Sequence, residues 1–466
     1  MIENLPDIQS LLNRVDRTGE GVVVELEKGK YVPIDSDRFF SNVPTSLFAS
    51  TVCKNTRGKF FSPPRRVYRL YNAVMSPLVR RPGRWPEIMY IHSSEGRLLH
   101  DLLQRSEDSS RLPYEYVNPV RMGGACVYLG MLMPYFGHFL SEVVSRFWLS
   151  DELRGRDVKY VFHATPASIA AWDTDTRSTR FVESIMNLFG IDRSQIHFIT
   201  EDTVFDDVIC PTALNWYTQG YHPEYVAIAD RIRDAFIDTS AQTPKRIFLS
   251  RSRFKGRNLI NAAQIEALFA GHGFEIIHPQ EHSFGEQVAM VAGAEVIAGE
   301  EGSAFCNVMF SNKPVIIELE SGRFHQNLPR LSYMMSQAYC FILPYLNGKM
   351  IPGVGMKTRL YANPWAVDET LAVLFDSKPL GEAVCGPKEC ARLYEHAFIA
   401  SQSADPERWV KIMRTVLSEY PDNFSPDMLT GLVQNFEQCK ATPSVINQLA
   451  KETLALLKEF GASGRD

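Results

Sequence analysis

The chain has 466 residues, 45% of them hydrophobic and 22% charged, with a formal net charge of −5. That length allows two or three domains with full cores, and the slight acidity provides no global attraction for nucleic acid or anionic lipid. Eight cysteines are scattered without C-x-x-C spacing, which argues against a zinc site or a disulfide framework and for a reducing compartment.

The opening MIENLPDIQSLLNRVDR has no basic segment followed by an apolar core, so no signal peptide is expected. No run approaches the roughly 18 apolar residues of a membrane helix. A soluble, cytoplasmic protein that touches a membrane only peripherally is expected. Segments 22–26 and 31–34 read as a hairpin around EKGK at 27–30. Strands are expected at 67–74 and 87–92, with Arg80, Arg81 and Arg84 in the loop between them. With Arg65 and Arg66, these cations could meet an acidic lipid-linked acceptor, although a solvated loop is the commoner fate of a short charge run.

Segment 121–133 reads as a buried strand and 137–150 as a helix. On that helix His138 and Glu142 are four apart and share a face. They are a candidate base and its orienting carboxylate; the alternative is a local ion pair without a chemical role. Strands at 158–163, 196–200 and 204–210 and helices at 180–189 and 225–237 follow. Asp173 and Asp175 have the D-x-D spacing of a divalent-metal site, but in a polar loop and at a spacing common by chance. NWYTQGYH at 215–222 could stack on a sugar or a base, or simply pack.

The stretch 244–320 is the most ordered in pattern. Strands at 246–250, 274–278, 295–298 and 315–319 alternate with helices at 262–270 and 284–292, which implies a parallel sheet with helices on its faces. Such sheets bind ligands beyond the carboxyl ends of their strands. After the first strand come Arg251, Arg253, Lys255 and Arg257; after the third comes GEEGS at 299–303, where Gly302 and Ser303 open a helix. A cationic loop beside free helix N–H groups suits a diphosphate. The alternative is a solvated loop with Ser303 as a plain cap. Beyond it a helix at 325–336, a strand at 339–344 and a Gly/Pro-rich loop at 349–364 lead to helices at 364–375, 389–401, 406–420, 426–440 and 445–460. These read as an appended interaction module or a buttress for the core.

Three segments together resemble glycosyltransferase family 61, the DUF563 or capsular-polysaccharide-biosynthesis type. YFGHFLSE at 135–142 is similar to the family's GHF-x-x-E segment. Ser250-Arg251 followed by RNLIN at 257–261 is similar to its S-R…R-x-(I/L)-x-N segment. Residues 299–307 followed by Ile317-Glu318-Leu319 are similar to its G-x-H-G-A-x-L-x-N…EL segment, with Glu301 in place of the usual His. The resemblance implies an inverting, metal-independent transfer of a sugar from a nucleotide-sugar to a hydroxyl of a glycan or lipid-linked glycan, with no cofactor. His138 and Glu142 would be catalytic. Arg251, Arg257, Asn261, Glu301, Gly302, Ser303, Asn307 and Glu318 would bind the donor.

The expected architecture is α/β and GT-B-like: two facing Rossmann-like domains, an N-terminal β elaboration and a C-terminal helical module. The expected boundaries are 1–120, 121–240 (acceptor side), 241–364 (nucleotide-sugar side) and 365–466, with the site in the cleft between the two central domains. Two other classes stay open, a catalytically silent glycan-binding or assembly protein and a nucleotide-sugar hydrolase. Product formation with and without acceptor separates them.

Overall fold

The computed structural model describes residues 2–33, 38–42, 59–79, 88–103, 114–174, 176–216, 220–254, 258–312, 314–320, 327–346, 358–423 and 426–438, with scattered positions from 444 to 458. The fold is mixed α/β and divides into two compact units. The first comprises Met1–Ile34, Asn55–Ile237 and Gln326–Ser336; the second comprises Asp35–Lys54, Asp238–His325 and Gln337–Asp466.

The first unit is built on one mixed sheet. Val120–Met131 runs parallel to Lys159–His163 on one side and to Thr203–Pro211 on the other. Lys159–His163 in turn pairs in parallel with Ile196–Ile199. Thr203–Pro211 is antiparallel to Arg65–Met75, which is antiparallel to Gly21–Glu27. Residues on both sides of position 120 therefore share one sheet, and its parallel half is joined to an antiparallel one.

The expected hairpin around 27–30 does not form. Gly21–Glu27 pairs with Arg65–Met75, whereas Lys30–Pro33 pairs with Lys59–Ser62 in a separate two-stranded sheet. The reason is burial: Val22, Val23 and Val24 form a run enclosed on both faces, and such a run takes an interior place in a sheet. Gly21 permits the close approach, since a Cβ there would lie 2.2 Å from the Arg69 carbonyl oxygen. Leu70, Ala73, Tyr128, Val161, Phe205 and Val208 form the core of this unit. Arg69 donates to both oxygens of buried Asp207, at 2.9 and 2.7 Å, and its Nη1 also caps the carbonyls of Leu11, Leu12 and Arg14. One enclosed ion pair thus ties the N-terminal segment to the middle of the sheet.

The second unit contains the parallel sheet expected from the sequence. Its order is Glu275–Ile277, Arg246–Leu249, Val296–Glu300, Val315–Leu319, Ala338–Ile342, with Phe39–Ser41 added at the edge, and every pairing is parallel. Numbered along the chain from Arg246, the five main strands have the order 2-1-3-4-5. The order therefore reverses between Arg246–Leu249 and Val296–Glu300, the place where open α/β sheets hold ligands.

Local sequence explains these elements. Val296–Glu300 is buried throughout, as an interior parallel strand must be. Helix Phe284–Gly293 opens with Ser283 and Glu286 in a capping box. Phe248, Leu268, Phe269, Ile317, Val367 and Leu371 share one core, so helix Pro364–Leu374 packs on the same sheet face as Ala262–Gly271. Helices Lys388–Gln402, Pro406–Glu419 and Pro426–Gln438 follow in the same unit. No described helix is long and apolar enough to cross a membrane.

Candidate functional site

Strand register decides which loops meet in the second unit. Leu249 lies opposite Gly299, so the segments after these two strands emerge side by side. Arg251 is only 6% exposed, and its guanidinium rests on Gly302, where a Cβ would come within 2.0 Å of Nη1. No other residue type allows that approach. Phe254 lies over the same guanidinium, its ring centre 5.1 Å from Cζ.

Beneath this pair lies Glu300. Its Oε1 accepts the Arg251 backbone N–H at 3.1 Å, and the carboxylate also takes the backbone N–H of Leu259. Glu300 thereby clamps both ends of the 251–259 loop. Burial pushes its carboxyl up to about 7, opposed by those two N–H donors and the charge of Arg251.

The other donor-side candidates divide into groups near Arg251 and groups used as scaffold. Ser303 begins the 3₁₀ helix Ser303–Phe310, with Gly302 at the N-cap position and no side-chain cap. Ser303 is therefore not the cap considered from the sequence. Glu301 sits half-buried beside Gly302 in the chain. Arg253 is drawn off to Glu281, with bonds of 2.9 and 2.7 Å. Arg257 and Lys255 lie outside the described residues.

Asn261 clamps the irregular segment before helix Pro364–Leu374: its amide exchanges two bonds with the backbone of Ala362, at 2.7 and 3.1 Å. Asn307 is 1% exposed and donates to Gln287, linking the Ser303–Phe310 helix to Phe284–Gly293. Glu318 is fully enclosed and accepts the Tyr339 hydroxyl; it faces protein, neither solvent nor an open pocket. His278 carries no sequence motif but directly follows the strand Glu275–Ile277, which pairs with Arg246–Leu249. Its Nδ1 is buried without a hydrogen-bond partner among the described residues.

In the first unit the expected single helix is a composite. Phe136–His138 is α, Phe139–Val143 is π, Val144–Leu149 is 3₁₀ and Ser150–Leu153 is α again. Short π segments of this kind recur at functional sites. They also disturb the regular pairing of helix carbonyls, and here the protein supplies donors. The carbonyls of Leu140, Ser141 and Glu142 accept from the Tyr225 hydroxyl, the Asn215 amide and the Ser145 hydroxyl.

The result is a held pair. His138 Nδ1 lies 2.7 Å from Glu142 Oε1, with the imidazole side chain 36% exposed and the carboxylate side chain 1%. Phe136 and Phe139 fix the start of the helix against Phe181, with ring centres 5.0 and 5.8 Å away. Sequence reasoning missed the roles of Tyr225 and Asn215, because nothing local marks a donor for a carbonyl more than seventy residues away.

The remaining candidates fall away from this pair. Asp173 is the C-cap of helix Pro166–Trp172, and Asp175 lies outside the described residues. Arg65 pairs with Glu224, and Arg66 with Glu25 and Asp101, while 80–87 lies outside the described residues. Trp216 packs on Phe61 at 5.4 Å.

The parallel sheet in 2-1-3-4-5 order places the Arg251 guanidinium and Gly302 at its reversal point, where open α/β sheets bind ligands. The family model described as Glycosyltransferase 61 matches residues 136–317, from the His138 helix to the Val315–Leu319 strand. Over these residues the chain is similar to that family of glycosyltransferases. No curated protein matches the chain.

Proposed function

We propose that the protein is an inverting, metal-independent glycosyltransferase of the GT-B type. It moves a hexosyl or pentosyl group from a nucleotide-sugar to a hydroxyl of a surface-polysaccharide acceptor. The observation that carries this reading is the Arg251 guanidinium seated on Gly302 at the reversal point of a parallel sheet. A nucleoside diphosphate leaving the sugar carbon needs its growing charge stabilised. Arg251 does so with paired N–H groups that match phosphate oxygens, and the backbone opening the Ser303–Phe310 helix adds further N–H donors.

The acceptor hydroxyl loses its proton as the new bond to the sugar carbon forms and the bond to diphosphate breaks on the opposite face. His138 takes that proton at Nε2, because Nδ1–H is committed to Glu142. The buried carboxylate holds the ring and stabilises the imidazolium that results. Glu301, where the family motif has His, accepts hydroxyls of the donor sugar.

The test begins with a thermal-shift screen of nucleotides and nucleotide-sugars, since a ligand of the folded form raises its stability. The stabilising donor is then turned over with and without glycan acceptors. Acceptor-dependent release of nucleoside diphosphate, an inverted anomeric centre and unchanged turnover in EDTA are expected. Retention of configuration, or loss of activity in EDTA restored by Mn²⁺, overturns the mechanism.

A further inference from the structure

The Glycosyltransferase 61 match ends at residue 317, yet later residues enclose a cavity that opens one residue from Arg251. The cavity has a volume of about 600 Å³, and its wall includes Ser252, Asn258, Arg359, Tyr361, Tyr394 and Met428. Ser252 and Asn258 are joined, the Asn258 amide lying 3.4 Å from the Ser252 carbonyl. The floor of the cavity is thus continuous with the loop that carries the guanidinium.

The opposite wall is built rather than incidental. Leu259 bridges to Leu360, and Ile260 N–H donates to the Leu360 carbonyl at 2.7 Å. Asn435 grips Arg359 through both backbone groups, at 2.9 Å each. Tyr361 and Tyr394 lie with ring centres 5.7 Å apart at 32°. Two polar groups here are sealed from water and make no hydrogen bond among the described residues, Arg359 Nε and the Tyr394 hydroxyl. Tyr394 is 2% exposed. A buried donor left without an acceptor is destabilising, a cost that a ligand oxygen removes.

We infer that this cavity receives the nucleoside end of the donor, so that the helices after residue 364 complete the nucleotide site and set its base preference. The inference rests on the proposed glycosyltransferase reading. The volume falls in the usual range for a ligand pocket. The lining matches a nucleoside, which presents a flat ring to aromatic and apolar walls and oxygens to the two buried donors. Glu318, expected from the sequence to bind the donor, is enclosed against Tyr339, which leaves the ribose hydroxyls to other groups.

The test uses the full chain and calorimetric titration with UDP, GDP, CDP and ADP against inorganic pyrophosphate. One nucleoside diphosphate binds at least about tenfold more tightly than pyrophosphate, the worth of one good hydrogen bond or more. Tyr394→Phe and Arg359→Lys each remove most of that advantage and leave pyrophosphate affinity unchanged, whereas Arg251→Ala weakens both ligands. Ala391 also lines the cavity, and Ala391→Phe, which fills it, abolishes the advantage. If Tyr394→Phe and Arg359→Lys melt at the wild-type temperature and keep the full nucleoside advantage, the inference is overturned. Pyrophosphate binding with no gain from any nucleoside overturns this inference alone. If neither pyrophosphate nor any nucleotide binds, the donor reading falls with it.

Discussion

The two units hold their candidate groups by opposite means. In the second unit, regularity does the positioning. Parallel register sets Leu249 against Gly299, the chain order reverses at that seam, and Arg251 meets Gly302. In the first unit, irregularity does it. The His138 helix passes through π and 3₁₀ turns, and three side chains from outside or later in the helix satisfy its carbonyls. On the proposed function, a phosphate would need only a broad cradle, which topology can provide, whereas a proton transfer would need one nitrogen at one angle, which a helix deformed and then pinned would hold.

The comparison breaks most sharply at His138. His138→Ala should lower kcat by ~10²–10⁴, the worth of a general base, with donor affinity nearly intact by titration calorimetry. An equal loss of donor affinity would move His138 to the donor side and erase the division of labour.

The next effect belongs to Glu300, the clamp under the regular half. Burial keeps its carboxyl protonated up to about pH 7, while in the unfolded chain it ionises near 4.5. Between those values the unfolded chain has released a proton that the folded chain keeps. The unfolded state binds fewer protons there, so stability contributed by this group falls as pH rises, by about 3 kcal/mol in all. Chemical denaturation of Glu300→Gln at pH 4.5 and 7.5 should lack that fall. A wild-type slope retained in the variant would assign it to another group.

Arg251→Ala should weaken donor binding by about 1.5–3 kcal/mol. Gly302→Ala should approach that loss although it removes no charge, because the new methyl takes the place of Nη1. Wild-type affinity in Gly302→Ala would show that the guanidinium has room elsewhere and that the register does not position it.

Tyr225→Phe is the mildest probe of the irregular half. Losing the hydroxyl on the Leu140 carbonyl should cost about 1 kcal/mol of stability, with a fall in kcat and an unchanged donor dissociation constant. A variant with full kcat would show that the π turn holds its shape without that bond.

Local sequence was most informative where structure is most local. The strands and helices of 246–319 were readable to within a residue or two, because apolar period, glycine punctuation and the Ser283–Glu286 capping box are short-range signals. The pairing of Gly21–Glu27 was not readable, since the EKGK turn signal is as local as the signals that succeeded but was outweighed by a partner strand some forty residues on. Arg251 and Gly302 were legible as motif members. Their contact was legible only as a consequence of strand order.

What the sequence determined by itself was the parallel sheet, the face shared by His138 and Glu142, and the family motifs, all of which are properties of neighbours along the chain. What tertiary structure alone decided was the environment of each candidate. Asn261 became a clamp through Ala362, 101 residues away; Glu318 was turned onto Tyr339, and Arg253 onto Glu281. The His138 helix took its π turn where Asn215 and Tyr225, more than seventy residues on, supply donors. A side chain's role depends on which distant groups satisfy its hydrogen bonds and exclude its water, and no window of sequence contains those partners.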